Sequence, residues 1–189
     1  AHRSASLNQY NSKKLIGAPL TGNQAKNLKN NKDLIARPQS SSYYLALNQH
    51  MKLFKNLKIR AAMSMAIDRH QITKKVLGDG SIVNNSFVSK GLATNPKTGK
   101  DFTSDTTAPA SMKYDPAQAK KLWQQGLKET GITNPKFTIL GSDTDAGKKV
   151  TEYLQNAFEK NLPGLKVSVS NIPFRTELAR QASRNYQVT

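Results

Sequence analysis

Cysteine is absent from this sequence of 189 residues, and long apolar runs are missing as well. The first absence excludes disulfide bonds, thiolate metal ligands and a cysteine nucleophile, although it does not identify a cellular compartment. The second excludes a membrane-spanning helix, which needs roughly 20 apolar residues, and the apolar core of a signal peptide. If the parent protein is exported, we expect its targeting segment to lie outside these 189 residues.

Acidic residues are scarce, because twelve Asp and Glu oppose 29 Lys and Arg to give a net charge of +17. From Ala1 to Arg60, eleven basic residues accompany Asp33 alone. This balance favours attraction to polyanions such as nucleic acid, anionic lipid or wall polymer, and says nothing about the fold. The simpler interpretation is a solvated basic surface beside an anionic cell wall.

The stretch from Asn56 to Leu77 has the apolar spacing of helices. Apolar residues recur at intervals of three and four, as on a buried helix face, at Ile59, Ala62, Met63, Ala66 and Ile67. The phase breaks at Asp68, which has Gln71 three residues on and is predicted to be the N-cap of a second helix. Gly78 and Gly80 are expected to end that helix.

Helical and strand patterns alternate in the rest of the chain. Asp115, Pro116 and Gln118 predict the start of a helix that stops at Gly131. The following predicted elements are a strand with Phe137 and Ile139, a helix with Val150, Leu154, Ala157 and Phe158, a strand with Leu165, Val167 and Val169, a helix from about Thr176 to Arg184, and a last strand starting at Tyr186 and Val188. This order predicts an α/β fold with a mixed, partly parallel sheet flanked by helices.

The N-terminal 42 residues are polar and are predicted to pack loosely. Within them, a short strand is expected at residues 15–20 and a weak helix at 25–34. Tyr43 to Asn48 alternates apolar side chains and predicts a strand, whereas Ser81 to Thr107 is a long irregular loop of the kind that is often functional. We therefore divide the chain into a loosely packed segment, 1–42, and a domain, 43–189.

Motifs for catalysis and cofactor binding are weak. The loop at 141–149, GSDTDAGKK, departs from a phosphate-binding loop, since five residues separate Gly141 from Gly147 where the motif has four, and Lys149 replaces its Ser or Thr. Asp143 and Asp145 would also repel phosphate. A helix N-terminus with acidic residues that complement its dipole explains this loop better.

The histidines and basic residues show no recognised functional arrangement either. His2, His50 and His70 lack the spacing of metal ligands, and no nucleophile–base pattern or paired carboxylates stand out. We therefore expect no catalytic residue, no metal, no cofactor and no enzymatic activity. Lys and Arg are spread along the chain rather than concentrated on one helix, so we expect no specific nucleic-acid binding.

Four ordered blocks of the sequence resemble the family 5 extracellular solute-binding proteins, the oligopeptide-binding receptors of ABC importers. The first is similar to the signature N-x-x-[VI]-R-x-A-[LM]-x-x-A-I-D-R-x-x-[IL], through Asn56, Ile59, Arg60, Ala62, Met63, Ala66, Ile67, Asp68, Arg69 and Ile72. The others are YYLALNQ at 43–49, YDPAQAKKLW at 114–123, and a late helix with Tyr153, Leu154 and Gln155. The resemblance covers roughly Leu15 to Thr189.

This resemblance implies one lobe of a two-lobed class II fold, like that of periplasmic binding proteins, which closes over an extended peptide. Residues 1–42 would belong partly to the hinge or first lobe. The implied partners are an oligopeptide, the ABC permease subunits and the first lobe of the same parent protein. The implied location is the outer surface of a Gram-positive bacterium, with membrane association only through a lipid anchor outside this chain.

The resemblance also implies which residues face the ligand. These are Asn48, where the chain leaves the hinge, and four residues of the long loop, Asn84, Asn85, Phe87 and Val88. Arg60, Asp68 and Arg69 belong to the signature but are expected to be structural.

One segment of the family has no counterpart in these residues. In the family, a segment with the pattern W-x-x-D-Y follows the position of Thr189, and its acidic residue holds the amino group of the peptide. The first lobe of the family also has no counterpart in these residues. We therefore expect the 189 residues alone to bind peptides weakly or not at all. The alternative function is that of a basic cell-surface domain that binds polyanions.

Overall fold

The computed structural model describes the backbone of residues 3–189 and the side chains of residues 5–189, so His2 lies outside the described residues. Its helices are α1 (Arg3–Asn11), α2 (Gly22–Asn27), α3 (Lys52–Lys55), α4 (Leu57–Met65), α5 (Arg69–Gln71), α6 (Phe102–Asp105), α7 (Pro116–Thr130), α8 (Asp145–Asn161) and α9 (Phe174–Ala182). A π-helix (Ile72–Leu77) continues α5, and a 3-10 helix (Ala110–Met112) precedes α7. The strands are β1 (Lys136–Ser142) and β2 (Lys166–Ile172). None of the helices in this described part is long and apolar enough to cross a membrane.

The chain divides into two compact units. The first, the N-terminal unit, contains the residues up to Gln39 together with His70–Val83, and the second, the sheet unit, contains Ser40–Arg69 and Asn84–Thr189. The division at residue 42 that the sequence suggests refers to the lobes of a longer protein and stays a prediction.

A parallel pair of strands forms the centre of the sheet unit, as predicted. β1 pairs with β2 from Lys136 opposite Lys166 to Ser142 opposite Ile172, with α8 as the connection. On the other side of β1, Val188 bridges in parallel to Ile139 and in antiparallel to Leu47. The order across the sheet is therefore β2, β1, residues 187–189 and residues 46–48. The α/β fold with a mixed, partly parallel sheet is confirmed.

The strand predicted at Tyr43 to Asn48 is shorter in the structure. The backbone of Ala46 exchanges hydrogen bonds with Thr189, at 2.7 and 3.1 Å, and Asn48 N–H donates to the Gln187 carbonyl at 2.9 Å. Tyr43, by contrast, is fully exposed. The pairing seen in the structure therefore involves residues 46–48.

The ends of α7 and α8 follow the chemistry of their first and last residues. Asp115 Oδ1 accepts the Gln118 N–H at 2.9 Å, and Gly131 ends α7 in the left-handed conformation at φ 66°, both as predicted. Thr144 Oγ1 accepts the Gly147 N–H at 3.1 Å and begins α8. The GSDTDAGKK loop is thus a capped helix start.

The core of the sheet unit is aromatic and almost fully buried. Phe137 lies between Phe54 and Phe158, with ring centroids 5.5 and 5.8 Å apart. Trp123 is fully buried and donates its indole N–H to the Pro163 carbonyl at 3.0 Å. This core positions α3, α7 and α8 on one face of the sheet.

The predicted helix at Asn56 to Ile67 packs through the apolar face that its spacing indicates. Ile59, Ala62, Met63 and Ala66 are at most 2% exposed. A Cβ atom at Gly126 of α7 would lie 2.7 Å from Ile59 Cγ1, so this glycine permits α4 and α7 to approach closely. α4 ends at Met65 and α5 begins directly after Asp68, which confirms the two predicted helices.

Three predictions for the N-terminal unit need correction. The helix after Gln71 is a π-helix, whose end at Gly78 (φ 61°) donates its N–H to the Thr73 carbonyl at 3.0 Å. The helix expected at 25–34 is α2, which starts earlier because Thr21 and Gln24 form a reciprocal capping box. The strand expected at 15–20 does not form, and Ile16 within it is fully exposed, because these residues bury little apolar surface.

Candidate functional site

Asn84 belongs to a hydrogen-bonded cluster in the sheet unit that is centred on Ser42. The Asn84 side chain donates to Ser42 Oγ at 2.9 Å and accepts the Ser86 N–H at 3.3 Å. Ser42 Oγ also lies 2.9 Å from the buried Ser89 Oγ and 3.2 Å from the Phe87 carbonyl. We call Ser42, Asn84 and Ser89 the Ser42 cluster. It fixes residues 84–89 against the chain that leads to the sheet.

An exposed aromatic pair lies beside this cluster. The rings of Tyr44 and Phe87 are 5.3 Å apart with an interplanar angle of 56°, and these residues are 65% and 74% exposed. Such a tilted pair presents apolar ring surface while each ring supports the other. The Tyr44 ring therefore supports Phe87, although Phe87 is not buried.

Asn85 and Val88 flank Phe87 in different environments. Asn85 is exposed, and its side chain makes no hydrogen bond with the described residues. Val88 is half-buried, and its carbonyl accepts the Ser86 hydroxyl at 2.8 Å. The side-chain amide of Asn85 is therefore available for a hydrogen bond to a ligand or to solvent.

Asn48 lies in a separate network, and no hydrogen bond among the described residues links it to 84–88. Its Nδ2 donates to the carbonyls of Tyr186 at 2.7 Å and Arg184 at 3.3 Å, while its Oδ1 accepts the His50 N–H at 3.1 Å. These bonds tie the segment at residue 48 to the chain before residues 187–189. A ligand contact by Asn48 stays a prediction.

The second half of the long loop is fastened by Asp101. Its carboxylate accepts the Gly91 N–H at 2.6 Å, the Thr103 N–H at 2.9 Å and the Thr103 hydroxyl at 2.6 Å. The Thr103 hydroxyl bond is the main reason that the pKa of Asp101 is below its usual value, since these bonds favour the ionised carboxylate. The long loop is therefore an ordered structure, in which Thr94 also bridges to Asp101.

Three signature residues have structural contacts. Arg60 donates from Nη1 to the carbonyls of Phe54 at 2.8 Å and Lys55 at 3.0 Å, which satisfies the C-terminal end of α3. The backbone N–H of Asp68 donates to the Tyr153 hydroxyl at 3.2 Å, and that hydroxyl donates to the Asp68 carbonyl at 3.3 Å. Burial raises the pKa of Tyr153.

Arg69 is the third of these residues. Its Nη1 donates to the carbonyls of Ser64 at 3.2 Å and Met112 at 3.0 Å, while Nη2 donates to Ser64 Oγ at 2.9 Å. Burial lowers the pKa of the Arg69 guanidinium. The guanidinium joins the end of α4 to the segment before α7.

Residues 3–189 contain no group of three or more His, Asp or Glu placed to hold a metal ion. Among the described residues, the surroundings of the Ser42 cluster expose polar and apolar groups but contain no nucleophile paired with a base. The sequence predicts that Asn84, Asn85, Phe87 and Val88 face the ligand, which stays a prediction, and it does not indicate Ser42, Tyr44 or Ser89. A single serine has no sequence motif that would mark it as part of a site. Tyr44 lies in the strand predicted at 43–48, and the alternation there indicates only a strand.

Comparison with known proteins gives a family match along the whole chain. The model described as "Bacterial extracellular solute-binding proteins, family 5 Middle" matches residues 1–189. A dipeptide-binding protein of Lactococcus lactis is 34% identical over 138 residues, which are 72% of this chain and 24% of that protein. The chain thus spans about a quarter of the length of this relative.

Two solved structures extend the comparison to the fold. The Listeria monocytogenes OppA structure, described as bound to peptide, is 33% identical with a TM-score of 0.89, covering 98% of this chain and 37% of that one. The pheromone receptor PrgZ is 31% identical with a TM-score of 0.86, covering 99% and 37%. The architecture of both units therefore occurs within larger peptide-binding proteins.

Proposed function

The chain belongs to the family 5 bacterial extracellular solute-binding proteins, and from this premise we propose that it is part of a receptor that captures oligopeptides outside the cell for an ABC importer. The observation that carries the proposal is the likeness, at a TM-score of 0.89, to a receptor described as bound to peptide. Because the chain spans 37% of that receptor, the peptide site would be completed by residues beyond this chain.

The exposed groups beside the Ser42 cluster support this function. A receptor for varied peptides gains affinity from main-chain hydrogen bonds and accepts different side chains in open, hydrated pockets. Tyr44 and Phe87 would provide an apolar surface for a peptide side chain, and Asn85 an amide for a peptide group. Asn84 and Val88 would hold that surface in place. Asn48 would contact the ligand at the point where the chain leaves the hinge.

The wider setting follows from the same premise. Two lobes would close over the peptide by a hinge motion, and the closed form would be recognised by the permease subunits. A lipid anchor outside this chain would hold the receptor at the surface of a Gram-positive bacterium. The receptor would bind and release its cargo unchanged, without acting as an enzyme.

A chimera tests the proposal. The matching segment of the Listeria receptor would be replaced by this chain, and peptide binding measured by calorimetry with a defined peptide mixture. We expect binding within about tenfold of the unmodified receptor, whereas the 189 residues alone should bind weakly or not at all. A chimera that melts cooperatively yet binds no peptide would refute the proposal, and micromolar binding by the isolated chain would refute the need for a second lobe.

A second candidate function, binding of polyanions, is favoured by the charge. Even if each of the twelve acidic residues paired with a basic one, seventeen basic side chains would remain without an acidic partner. Titration with heparin at two salt concentrations separates the functions, because binding driven by charge weakens steeply with salt. Heparin binding that hardly changes with salt, or none at all at low salt, would exclude the charge-driven mode.

A further inference from the structure

A cleft of about 300 Å³ lies in the sheet unit, where the turn after α9 meets β1 and β2. Its polar lining comes from the sheet, from α9 and from the segment that leads to residues 187–189: Thr138, Ser170, Arg180, Arg184, Asn185, Tyr186 and Gln187. No carboxylate lines it. Two arginines thus line one cleft together with residues that carry hydroxyl and amide groups.

Arg180 is oriented by the turn itself. Its Nε donates to the Asn185 carbonyl at 3.0 Å, and its terminal nitrogens make no hydrogen bond with the described residues. Neither Arg180 nor Arg184 forms an ion pair within the described chain. Glu177, one turn earlier on α9, interacts instead with the side chains of Gln181 and Thr189. The positive charge of the cleft therefore has no internal counter-ion.

Arg184 occupies a backbone position that normally selects glycine. Asn185 N–H donates to the Arg180 carbonyl at 2.8 Å and Arg184 N–H to the Gln181 carbonyl at 3.0 Å, which is the Schellman pattern at a helix end. Arg184 has φ 58°, where a Cβ atom is unfavourable. An arginine here weakens the turn relative to glycine, so its presence points to a use for the side chain.

Gln187 supplies a donor to the same cleft. Its Oε1 accepts the Thr138 N–H at 2.7 Å, which fixes the amide and leaves the NH2 group free for another acceptor. Guanidinium groups match oxyanions because they present several N–H donors in one plane.

We propose that this cleft binds a small oxyanion, a phosphate or a carboxylate, between Arg180 and Arg184. The proposal does not depend on peptide capture, since it rests on residues outside the Ser42 cluster. The anion would supply the charge that the cleft lacks, and Thr138, Ser170 and Gln187 would surround it with hydrogen-bonding groups.

Thermal unfolding of the 189-residue chain tests the proposal. The melting temperature would be measured with inorganic phosphate, with N-acetylglycine and with chloride, all at matched ionic strength, because any salt screens a charge of +17. We expect phosphate or N-acetylglycine, or both, to raise the melting temperature more than chloride does. The oxyanion that does so shows whether the cleft prefers a phosphate or a carboxylate. No excess over chloride in either arm overturns the proposal.

Arg184→Gly separates binding from folding. Glycine should raise the melting temperature in chloride, because it suits φ 58°. The same variant should bind the oxyanion at least tenfold more weakly. Lys13→Gly is the matched control, since Lys13 also has φ 58° but lies far from the cleft in sequence and does not line it. Arg180→Gln should also abolish the oxyanion effect, whereas Arg175→Gln, on the exposed first turn of α9, should not. An effect that persists in both Arg184→Gly and Arg180→Gln overturns the proposal.

Discussion

Arg69 illustrates how one side chain can join distant segments. Its guanidinium reaches the Ser64 and Met112 carbonyls, the second of which is 43 residues away in sequence. We expect Arg69→Lys to lower the free energy of unfolding by about 2 kcal/mol, because an ammonium cannot satisfy these acceptors together. Urea denaturation measures the change. Arg175→Lys, at an exposed position, should have no effect, and equal stability of both variants would contradict the structural role of Arg69.

Phe87 offers the clearest residue-scale test of peptide contact. In the receptor chimera, we expect Phe87→Ala to weaken binding of peptides with apolar side chains by about 1 kcal/mol, roughly fivefold, because the Tyr44 ring loses its partner surface. The melting temperature should hardly change, since Phe87 is mostly exposed. Calorimetry with matched apolar and polar peptides measures the effect. Leu57→Ala, at another exposed apolar residue, is the control, and an equal loss there would exclude a specific contact.

Glu177 provides a prediction for pH. Burial raises the pKa of its carboxyl, more than the Thr189 hydrogen bond lowers it, and its Oε2 is buried without a hydrogen-bond partner among the described residues. A raised pKa in the folded state means that stability is lost as the pH rises through that pKa. Glu177→Gln should therefore be more stable than the wild type at pH 7 and lose this advantage by about pH 3.5.

Melting temperatures at the two pH values measure that difference. Glu152→Gln, an exposed acid on α8, should change little at either pH. If Glu177→Gln were less stable than the wild type at pH 7, the carboxylate would be making a favourable contact, and the assignment of a burial cost would fail.

At the scale of elements, α7 depends on its first residue. Asp115 accepts the Gln118 N–H, one of the backbone donors that a helix start leaves without an internal partner. Asp115→Ala should lower the free energy of unfolding by about 1 kcal/mol. Asp115→Asn should keep nearly the stability of the wild type, because asparagine is an equally good cap. Chemical denaturation distinguishes them. Equal losses in both variants would indicate that charge, and not the cap, matters.

The elements also show how far sequence can predict structure. α7, α8, β1 and β2 were predictable because their caps and periodicity agree with their tertiary packing. The π-helix at Ile72–Leu77 was not, since an added residue in a turn leaves no mark in the apolar pattern. Of the strand predicted at 43–48, residues 46–48 pair with residues 187–189, a distant partner that alternation does not reveal.

The same contrast applies to the candidate site. The long loop and Phe87 were indicated by composition and resemblance, whereas the Ser42 cluster depends on hydrogen bonds across 42 to 47 residues of sequence. Short polar side chains acquire such roles only through the tertiary structure. Local sequence therefore indicates where the loop is, but not how it is held.

At the scale of the whole molecule, the chain carries its positive charge in both units. Charge of this size does not direct folding, but it raises the rate of encounter with anionic surfaces at low salt. If the proposed receptor works beside an anionic wall, the charge of these 189 residues would favour contact with that wall. The proposed oxyanion binding differs from this overall attraction, because it depends on two particular arginines that line one cleft.

The position of residues 187–189 in the sheet affects the order of folding. These residues lie between β1 and residues 46–48, and Leu47 meets a partner that follows it by more than a hundred positions. During synthesis, residues 46–48 therefore wait until residue 189 has left the ribosome, and contacts between such distant segments form slowly.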